Sequence, residues 1–281
     1  MALALGSSAS SLRVGSGTPS RMYRGSTAFW DADAAAYIRA VEAADGQALE
    51  LGVCNAYHNF FLELKATSGL FSAIKASCIL CGARTITGAL VPLAGTAPTA
   101  QGGWASGDYS RTAGLTGDGN ALYLITNRGS SDDGLNDFHV GVYASSFSTG
   151  TENYLIGSRN NNATYNGVLI ASDGNVRFYN RNGSANYSPS VYSGYLASSR
   201  AVAASMGVRF EGETYQTGSA SVANVDNRDL HVFVLNDKGV KFFYSDATIA
   251  FYSIGTDIGS AGLAALDTAV TNLITAIGNA L

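Results

Sequence analysis

The chain has 281 residues, which is enough to bury a full core and allows one large β domain plus a smaller unit. Charged residues make up only 14% of it, against roughly a quarter in ordinary soluble domains, whereas there are 33 glycines and 15 tyrosines, a balance typical of a turn-rich β protein. The formal net charge is -4 and the basic residues are scattered singly, which excludes a nucleic-acid partner.

Residues 1–30 are predicted to form an extended attachment arm. Ser, Gly and Thr dominate this stretch, and its apolar residues show no periodicity that would bury them within it. We therefore expect those residues to lie on a neighbouring protein; they are Leu12, Val14, Met22, Tyr23, Phe29 and Trp30. A disordered leader is the alternative. Because the first residues lack a basic region and a long apolar run, no signal peptide is predicted.

Residues 31–107 are predicted to form a helical adaptor region. Asp31 is a suitable N-cap, and apolar residues recur at spacings of three and four through 31–45, 47–66 and 70–81. A loop with one short strand is expected to follow, over residues 83–100. Three such helices cannot bury their apolar faces alone, so we expect them to cover one another or one face of a sheet.

The three cysteines, Cys54, Cys78 and Cys81, all lie in this helical region. Their odd number argues against an extracellular disulfide framework and favours reduced thiols. Cys78 and Cys81 form a CxxC, but a zinc site needs a second pair, and His58 has no partner at the required spacing. The sequence therefore predicts buried core thiols.

Residues 108–258 are predicted to form an antiparallel two-sheet β sandwich of the jelly-roll type. From Asp108 onwards the hydrophobic period changes to two, with about a dozen short strands separated by Gly, Asn, Asp and Ser. Two connections, at 172–175 and 236–239, place glycine where a hairpin turn requires positive φ. No helical pattern separates these strands, which disfavours a parallel α/β fold.

Residues 259–281 are predicted to form a C-terminal amphipathic helix. Its apolar residues repeat at alternating spacings of three and four, the a/d seam of a heptad pattern; they are Leu263, Leu266, Val270, Leu273 and Ile277. Two interpretations remain open, because the seam is under three heptads long. The helix either forms an oligomer contact near a symmetry axis or packs on its own domain. No stretch is expected to span a membrane, so membrane insertion is not predicted.

No catalytic motif is recognised, and we expect the chain not to be an enzyme. It contains no GxSxG, Walker loop or HExxH. The histidines, His58, His139 and His231, share no ligand spacing and are expected to have packing or surface roles. A glycosidase needs two carboxylates facing each other across a cleft, whereas Glu211 and Glu213 lie on one face of a predicted strand.

Oxygen-rich residues between two predicted strands form a candidate Ca²⁺ site. Carboxylates and amides of such loops are the ligands that Ca²⁺ prefers, and here they are Asp132, Asp133, Asn136 and Asp137. The alternative is that Asp, Asn and Gly simply form turns at this position. No other cofactor is expected.

A candidate glycan-binding site is predicted in the β region, where tyrosines alternate with Asn and Arg. Flat aromatic rings stack on sugars, and amides bond to hydroxyls. The candidate residues are Tyr165, Tyr179, Tyr187, Tyr192, Tyr195, Asn180 and Arg181. Ordinary strand or core packing of these tyrosines is the alternative.

Three segments carry a family resemblance: FWDADAAAYI at 29–38, VEAADGQALE at 41–50 and IKASCILCGARTITGALVPL at 74–93. They resemble a module of structural proteins from marine and cyanobacterial phages. In that family the module precedes an Asp-Tyr-Asn-Arg-Lys-Thr-Gly-Leu-like segment and a concanavalin-like (laminin G-like) jelly roll. Here DYSRTAGL at 108–115 resembles that segment, with departures at Ser110 and Ala113. LRVG at 12–15 and MYRGS at 22–26 also look like leader repeats of phage appendage proteins.

The resemblance implies a non-enzymatic phage virion structural protein, either a tail fibre or a capsid-decoration protein. Such a protein would be made in the host cytoplasm and would sit on the virion surface as a homotrimer. Its arm would bind other virion proteins, and its jelly roll would face outwards to host surface glycans. The alternative is a free carbohydrate-binding or polysaccharide-hydrolysing protein with a lectin-like fold.

Overall fold

The computed structural model describes residues 30–160, 164–220 and 227–281 in full, together with the backbone of four short strands before residue 30. Those strands pair in order as a small antiparallel sheet: β1 Ala2–Ala4, β2 Ser11–Arg13, β3 Tyr23–Arg24 and β4 Thr27–Ala28. The side chains of five predicted attachment residues, Leu12, Val14, Met22, Tyr23 and Phe29, lie outside the described part of the chain.

Trp30, the sixth predicted attachment residue, belongs to the protein's own core. It is buried among helical residues, and its indole Nε1 donates to Asn55 Oδ1 at 3.3 Å. The prediction that Trp30 lies on a partner protein is therefore wrong, because its apolar ring already has a place within the chain.

Within the described residues, five α-helices lie in two parts of the sequence: α1 Ala32–Asp45, α2 Leu51–Ala66, α3 Leu70–Ala73, α4 Ile86–Ala89 and α5 Gly259–Ala280. The side chain of Asp31 caps α1 by accepting from the backbone N–H groups of Asp33 and Ala34. Gly46 ends the same helix in the left-handed conformation, with φ of 68°.

Among the described residues, eighteen strands build the β sandwich. They are β5 Ile74–Ile79, β6 Pro92–Ala94, β7 Thr99–Gln101, β8 Tyr109–Ser110, β9 Gly114–Thr116, β10 Tyr123–Gly129, β11 Phe138–Ser146, β12 Asn153–Arg159, β13 Tyr165–Ile170, β14 Val176–Asn180, β15 Gly183–Tyr187, β16 Gly194–Val202, β17 Ser205–Phe210, β18 Glu213–Thr217, β19 Asp229–Val232, β20 Leu235–Asp237, β21 Val240–Phe242 and β22 Thr248–Gly255.

The strands form two sheets, which we call inner and outer. The inner sheet has the order β18-β17-β16-β11-β22-β5-β6, with β9 beside β22 and β8 beside β9. The outer sheet has the order β15-β14-β13-β12-β19-β10-β7, and the β20–β21 hairpin joins it because β20 pairs with β12. The pairs are antiparallel except for the one between β12 and β20. The predicted mainly β fold, with an antiparallel sandwich, N-terminal helices and a C-terminal helix, is confirmed.

The molecule therefore has three layers with two cores. The first core fills the space between the sheets, and the second lies between the inner sheet and the helices. Neighbouring residues of β16 show the alternation, since Leu196 faces the outer sheet and Ala197 faces the helices. The inner sheet is thus covered on both sides, whereas the far side of the outer sheet carries no helical layer among the described residues.

Residues 70–81 differ from the predicted third helix. The helix ends at Ala73, and β5 continues into the inner sheet between β22 and β6. Strands β5, β6 and β7 all precede residue 108, so the predicted boundary between a helical region and a β region at that residue is wrong. The helices and the sandwich share one continuous core instead.

Helix α5 packs on its own chain. The five seam residues are buried in the helical core that α5 shares with α2 and the inner sheet: Leu263, Leu266, Val270, Leu273 and Ile277. The prediction that they form an oligomer contact is wrong, because their side chains are already covered. By length and composition alone α5 could cross a membrane, contrary to expectation, but its buried stripe is typical of a core helix.

The histidines and cysteines occupy packing positions, as predicted. His58 Nδ1 accepts from the backbone N–H of Asp31 at 3.0 Å, while His139 and His231 are buried in the sandwich. All three cysteines, Cys54, Cys78 and Cys81, are buried and free. Burial raises the pKa of the Cys78 and Cys81 thiols to about 12, which keeps them protonated at neutral pH.

Candidate functional site

The uncovered side of the outer sheet carries a cluster of aromatic side chains. Tyr154, Leu169 and Leu235 are buried there, with Tyr165 and Tyr179 packed half-exposed against them. Their strand neighbours point the other way, into the sandwich core. We call this surface the tyrosine platform; it comprises Tyr154, Gly157, Arg159, Tyr165, Gly167, Leu169, Tyr179, Leu235, Asp237 and Phe242.

Strand register places the platform residues in rows that cross the sheet. One row contains, in order, Tyr179 on β14, Gly167 on β13, Gly157 on β12, Leu235 on β20 and Phe242 on β21. The next row contains Tyr165, Arg159 and Asp237. Because paired residues point to the same side of a sheet, these side chains form one continuous surface.

Two glycines form the middle of the first row, and the structure requires both. A Cβ at Gly157 would overlap the ring of Tyr154, which lies against the strand at this point. Gly167 has φ of 136°, and a Cβ there would overlap the carbonyl oxygen of Ile156. Glycine inside a strand is typical of places where another group approaches the backbone closely. At Gly157 that group is the buried Tyr154 ring, which fills the space between Tyr179 and Leu235.

The tyrosine rings are fixed by one another and by an arginine. The ring centroids of Tyr165 and Tyr179 lie 5.1 Å apart, and the guanidinium of Arg159 lies 4.8 Å from the Tyr165 centroid. Burial raises the pKa of the Tyr154 and Tyr179 hydroxyls, so both stay neutral hydrogen-bonding groups at physiological pH.

Arg159 and Asp237 form an ion pair across β12 and β20 with hydrogen-bonding capacity left over. Arg159 Nη1 lies 3.1 Å from Asp237 Oδ2. Arg159 Nε and Asp237 Oδ1 are both buried and have no hydrogen-bond partner among the described residues. Leaving one buried donor and one buried acceptor unpaired costs about 1–3 kcal/mol each, so a small rearrangement that gives both a partner is favoured. A hydroxyl group, which both donates and accepts, matches this pair.

The β20–β21 hairpin completes the platform and rests on two strained residues. Phe233 and Phe243, at its base, have φ of 71° and 57°, which bulky side chains rarely adopt. Backbone bonds hold this geometry, from Ser245 N–H to the Phe233 oxygen and from Tyr154 N–H to the Phe243 oxygen. Such strain is typical of functional positions. The hairpin leaves Phe242 46% exposed at the end of the glycine row.

The structure brings together two of the seven predicted glycan-binding residues, Tyr165 and Tyr179. The others lie elsewhere. Tyr187 stacks on Phe210 at an edge of the sandwich core, and Tyr192 packs half-exposed against Phe147. Tyr195 is buried under the helices, with its hydroxyl 3.3 Å from Ser253 Oγ. Those three tyrosines do not share a surface with the platform.

Asn180 and Arg181 are buried inside the molecule. Asn180 Nδ2 donates to the Phe138 oxygen at 3.2 Å. The Arg181 guanidinium donates to the backbone oxygens of Ser130, Asp133 (2.9 Å) and Gly134 (3.2 Å), and lies 4.0 Å from the centroid of the Phe138 ring. Their predicted role in contacting a glycan is wrong, because neither side chain reaches the surface. Arg181 instead clamps the loop that follows β10.

That loop contains the predicted Ca²⁺ ligands, and the structure does not bring them together. Asp132 Oδ2 accepts from the Gly129 N–H at 2.7 Å, Asp133 pairs with Arg128 at 2.6 Å, and Asp137 accepts from the Asp257 N–H at 2.7 Å. No group of three or more His, Cys, Asp or Glu suited to a metal occurs within residues 30–160, 164–220 and 227–281. These carboxylates are already held by backbone N–H groups and by Arg128, and the Ca²⁺ prediction for Asp132, Asp133, Asn136 and Asp137 is wrong.

A cleft of about 530 Å³ lies between α5 and the β17–β18 turn, lined by Tyr195, Glu211 and Asp267 among others. Its carboxylates are held by the protein itself. Glu211 accepts from the N–H groups of Ser190 and Val191, and Asp267 pairs with Arg209 Nε at 2.7 Å. Burial raises the pKa of Glu211, but these hydrogen bonds outweigh it and lower the pKa below its ordinary value. The cleft is therefore a weaker candidate site than the platform.

Sequence reasoning missed Tyr154, Arg159, Asp237 and Phe242. A signal was present in β13, where Tyr165 precedes Gly167 by two residues and so shares its face, whereas Tyr154 and Gly157 share a face only because of the bulge between Tyr154 and Ile156. A strand glycine beside a tyrosine indicates a flat surface that a ligand can approach. The Arg159–Asp237 pair gave no local signal, because its members are 78 residues apart.

Comparison with known proteins identifies the fold. No family model matches the chain, and no curated protein matches it. Two solved structures of Trypanosoma rangeli sialidase, one a mutant displaying trans-sialidase activity and one in complex with 2,3-difluoro-KDN, each match 79% of this chain and 39% of theirs, with TM-scores of 0.51. Their identities are 10% and 11%. The chain thus spans about two fifths of the length of those sialidases.

A second likeness is to CBM40 of the Ruminococcus gnavus IT-sialidase bound to α2,3-sialyllactose. It covers 47% of this chain and 81% of that one at 12% identity, with a TM-score of 0.36.

The comparisons correct one prediction. The sandwich fold is shared with sialidase chains. The prediction that the chain is not an enzyme is therefore wrong, because this fold does not exclude an enzyme. At these identities the likeness shows the fold alone.

Proposed function

We propose that this chain is a glycan-binding β-sandwich protein that holds sugar rings against the tyrosine platform. The observation that carries the proposal is the half-exposed Tyr165–Tyr179 pair beside the Arg159–Asp237 pair with its spare donor and acceptor. Sugars present apolar ring faces that stack on aromatic side chains, and hydroxyls that both donate and accept hydrogen bonds. The sandwich fold shared with sialidase chains is consistent with this function.

A glycan array tests the proposal with three proteins. The wild type is expected to bind a subset of glycans, and the double variant Tyr165→Ala and Tyr179→Ala is expected to lose that binding. Tyr192→Ala is the matched control, since this tyrosine is 51% exposed and lies away from the platform. Binding by the control but not by the double variant supports the proposal. Absence of binding by the wild type, or unchanged binding by a folded double variant, refutes it.

The phage resemblance supports a second, compatible proposal about where this glycan-binding face acts. In it the protein is made in the host cytoplasm and displayed on a virion surface, with residues 1–30 contacting other virion proteins and the platform contacting host glycans. A homotrimer would have to form through a surface other than the α5 seam, which is buried. The test is mass spectrometry of purified virions from a phage that encodes this chain. Absence of the chain from those virions would refute the proposal.

A further inference from the structure

We infer that the ligand of the tyrosine platform is an uncharged polysaccharide chain that lies across the strands over several sugar units. This inference rests on the proposed function and adds the length and charge of the ligand. It distinguishes an extended neutral chain from a single terminal sugar and from an acidic sugar.

The length follows from the glycine row. The row crosses five strands, from Tyr179 on β14 to Phe242 on β21. Neighbouring strands lie about 4.8 Å apart, so the row spans roughly 19 Å. One pyranose unit advances a linear chain by a length similar to one strand spacing, so about four units fit along the row.

Aromatic rings stand at both ends of this row. Tyr179 contacts Tyr165 at one end, and Phe242 contacts Phe243, with ring centroids 6.3 Å apart, at the other. Phe242 and Phe243 are 46% and 44% exposed, although both are large apolar residues at a strained hairpin. A single bound sugar would leave one of these ends unused. An extended chain reaches both ends and covers the exposed phenylalanines.

The surface between the two ends is formed by the second row. Gly157 and Gly167 are buried, with the buried Tyr154 ring packed against Gly157, so the partly exposed side chains between the ends are Arg159 and Asp237. The spare Arg159 Nε and Asp237 Oδ1 lie in the adjacent row, beside the middle of the path. A hydroxyl of a central sugar unit can accept from the first atom and donate to the second after a small side-chain shift.

The charge of the ligand follows from the pairing of charges around the path. Arg159 is neutralised by Asp237, and Arg177 on β14 pairs with Asp173 at 2.5 Å. Lys241 donates to the Gly239 carbonyl oxygen at 2.8 Å and lies over the Tyr123 ring, outside the row. The cation of the platform itself, Arg159, is therefore already neutralised by Asp237. Lys238 and Lys241 of the adjoining hairpin have no carboxylate partner among the described residues, but neither lies in the row, so a polyanion lying along the row would find no unpaired cation there.

Native gel electrophoresis in the presence of soluble polysaccharides tests ligand charge. The neutral probes are xylan, glucomannan and mixed-linkage β-glucan, and the acidic probes are alginate, polygalacturonate and polysialic acid. We expect retardation by at least one neutral probe. This retardation should persist when NaCl is raised from about 0.05 to about 0.5 M. Salt weakens attraction between charges, and charge attraction contributes little to binding of a neutral chain.

Calorimetry with oligosaccharides cut from the most retarding polysaccharide tests ligand length. We expect the tetrasaccharide to bind about tenfold or more tighter than the disaccharide, as further rings stack. Phe242→Ala should remove most of that gain, whereas Tyr192→Ala should change the affinity for neither oligosaccharide.

The outcomes separate this inference from the proposed function. Binding confined to acidic polysaccharides or terminal sugars, or affinity independent of chain length, overturns the inference. The proposed function still stands if that binding is lost in the Tyr165→Ala and Tyr179→Ala variant. If no saccharide of either class binds, both fail.

Discussion

Replacing Arg181 by Met distinguishes a structural clamp from a ligand contact. The guanidinium is fully buried and donates to the backbone oxygens of Ser130, Asp133 and Gly134. Burial lowers its pKa to about 10, which still leaves the side chain charged at neutral pH. Met has a similar length and no hydrogen-bond donors, so the variant keeps much of the packing and removes the clamp.

The expected cost follows from the groups left behind. Each carbonyl that loses a buried partner costs about 1–3 kcal/mol, although the loop lies near solvent and water can recover part of this. The contact with the Phe138 ring adds about 0.5–2 kcal/mol, and relief from burying a charge offsets some of the loss. We expect the free energy of unfolding to fall by about 2–4 kcal/mol. For a domain of this size that lowers Tm by roughly 4–16 °C.

Urea and thermal unfolding, followed by far-ultraviolet circular dichroism, measure the effect. Arg177→Met is the matched control, because Arg177 lies on the same strand pair but makes a surface ion pair, and its Tm should change little. Glycan binding by the folded Arg181→Met protein should stay near wild type. An unchanged Tm together with lost glycan binding would refute the structural role of Arg181 and would indicate that its side chain contacts the glycan.

Three further predictions concern the helical layer and the thiols. Leu266→Ala should lower the free energy of unfolding by about 2–5 kcal/mol without changing the mass measured by light scattering; a halved or smaller mass at unchanged stability would contradict the packing of α5. The Arg111 guanidinium lowers the pKa of Glu50 below its ordinary 4.5, so this pair stabilises the fold above the unfolded pKa and the contribution disappears as pH falls through the folded value. Glu50→Gln should therefore lower the free energy of unfolding, measured with urea, by about 1 kcal/mol at pH 7 and leave it unchanged in acid. An equal effect at both pH values would contradict the role given to this ion pair. Cys78 and Cys81 should not react with Ellman's reagent until the protein is unfolded, because burial raises their pKa to about 12; rapid reaction of the native protein would show that the thiols are accessible.

The helices that could be predicted are those with local signals. Asp31 caps α1, and apolar residues at spacings of three and four define α2 and α5 within a few residues of their observed bounds. The same spacing misled at 70–81, where β5 is buried on both faces and shows no alternation. Its pairing with β22 joins residues more than 170 positions apart, for example Cys78 and Tyr252, and no local pattern records such a contact.

The site could be predicted in part for a similar reason. Tyr165 and Tyr179 point to the same side because they lie on neighbouring strands joined by the predicted 172–175 turn. Asn180 and Arg181 looked like surface residues because they are polar. Arg181, however, has φ of 54° in a turn that directs it inwards, where backbone oxygens replace water as its partners. Burial of an arginine depends on those partners, which come from a distant loop.

The three-layer order also fixes the orientation of the platform relative to the first and last helices. Helix α1 begins at Ala32 and α5 ends at Ala280, and the last turn of α5 lies against Gly52 at the start of α2, so the start of α1 and the end of α5 both belong to the helical layer. That layer and the platform are on opposite sides of the sandwich. A bead, sensor chip or fusion partner joined after α5 would therefore leave the platform pointing into solution, which suits binding assays on an immobilised protein.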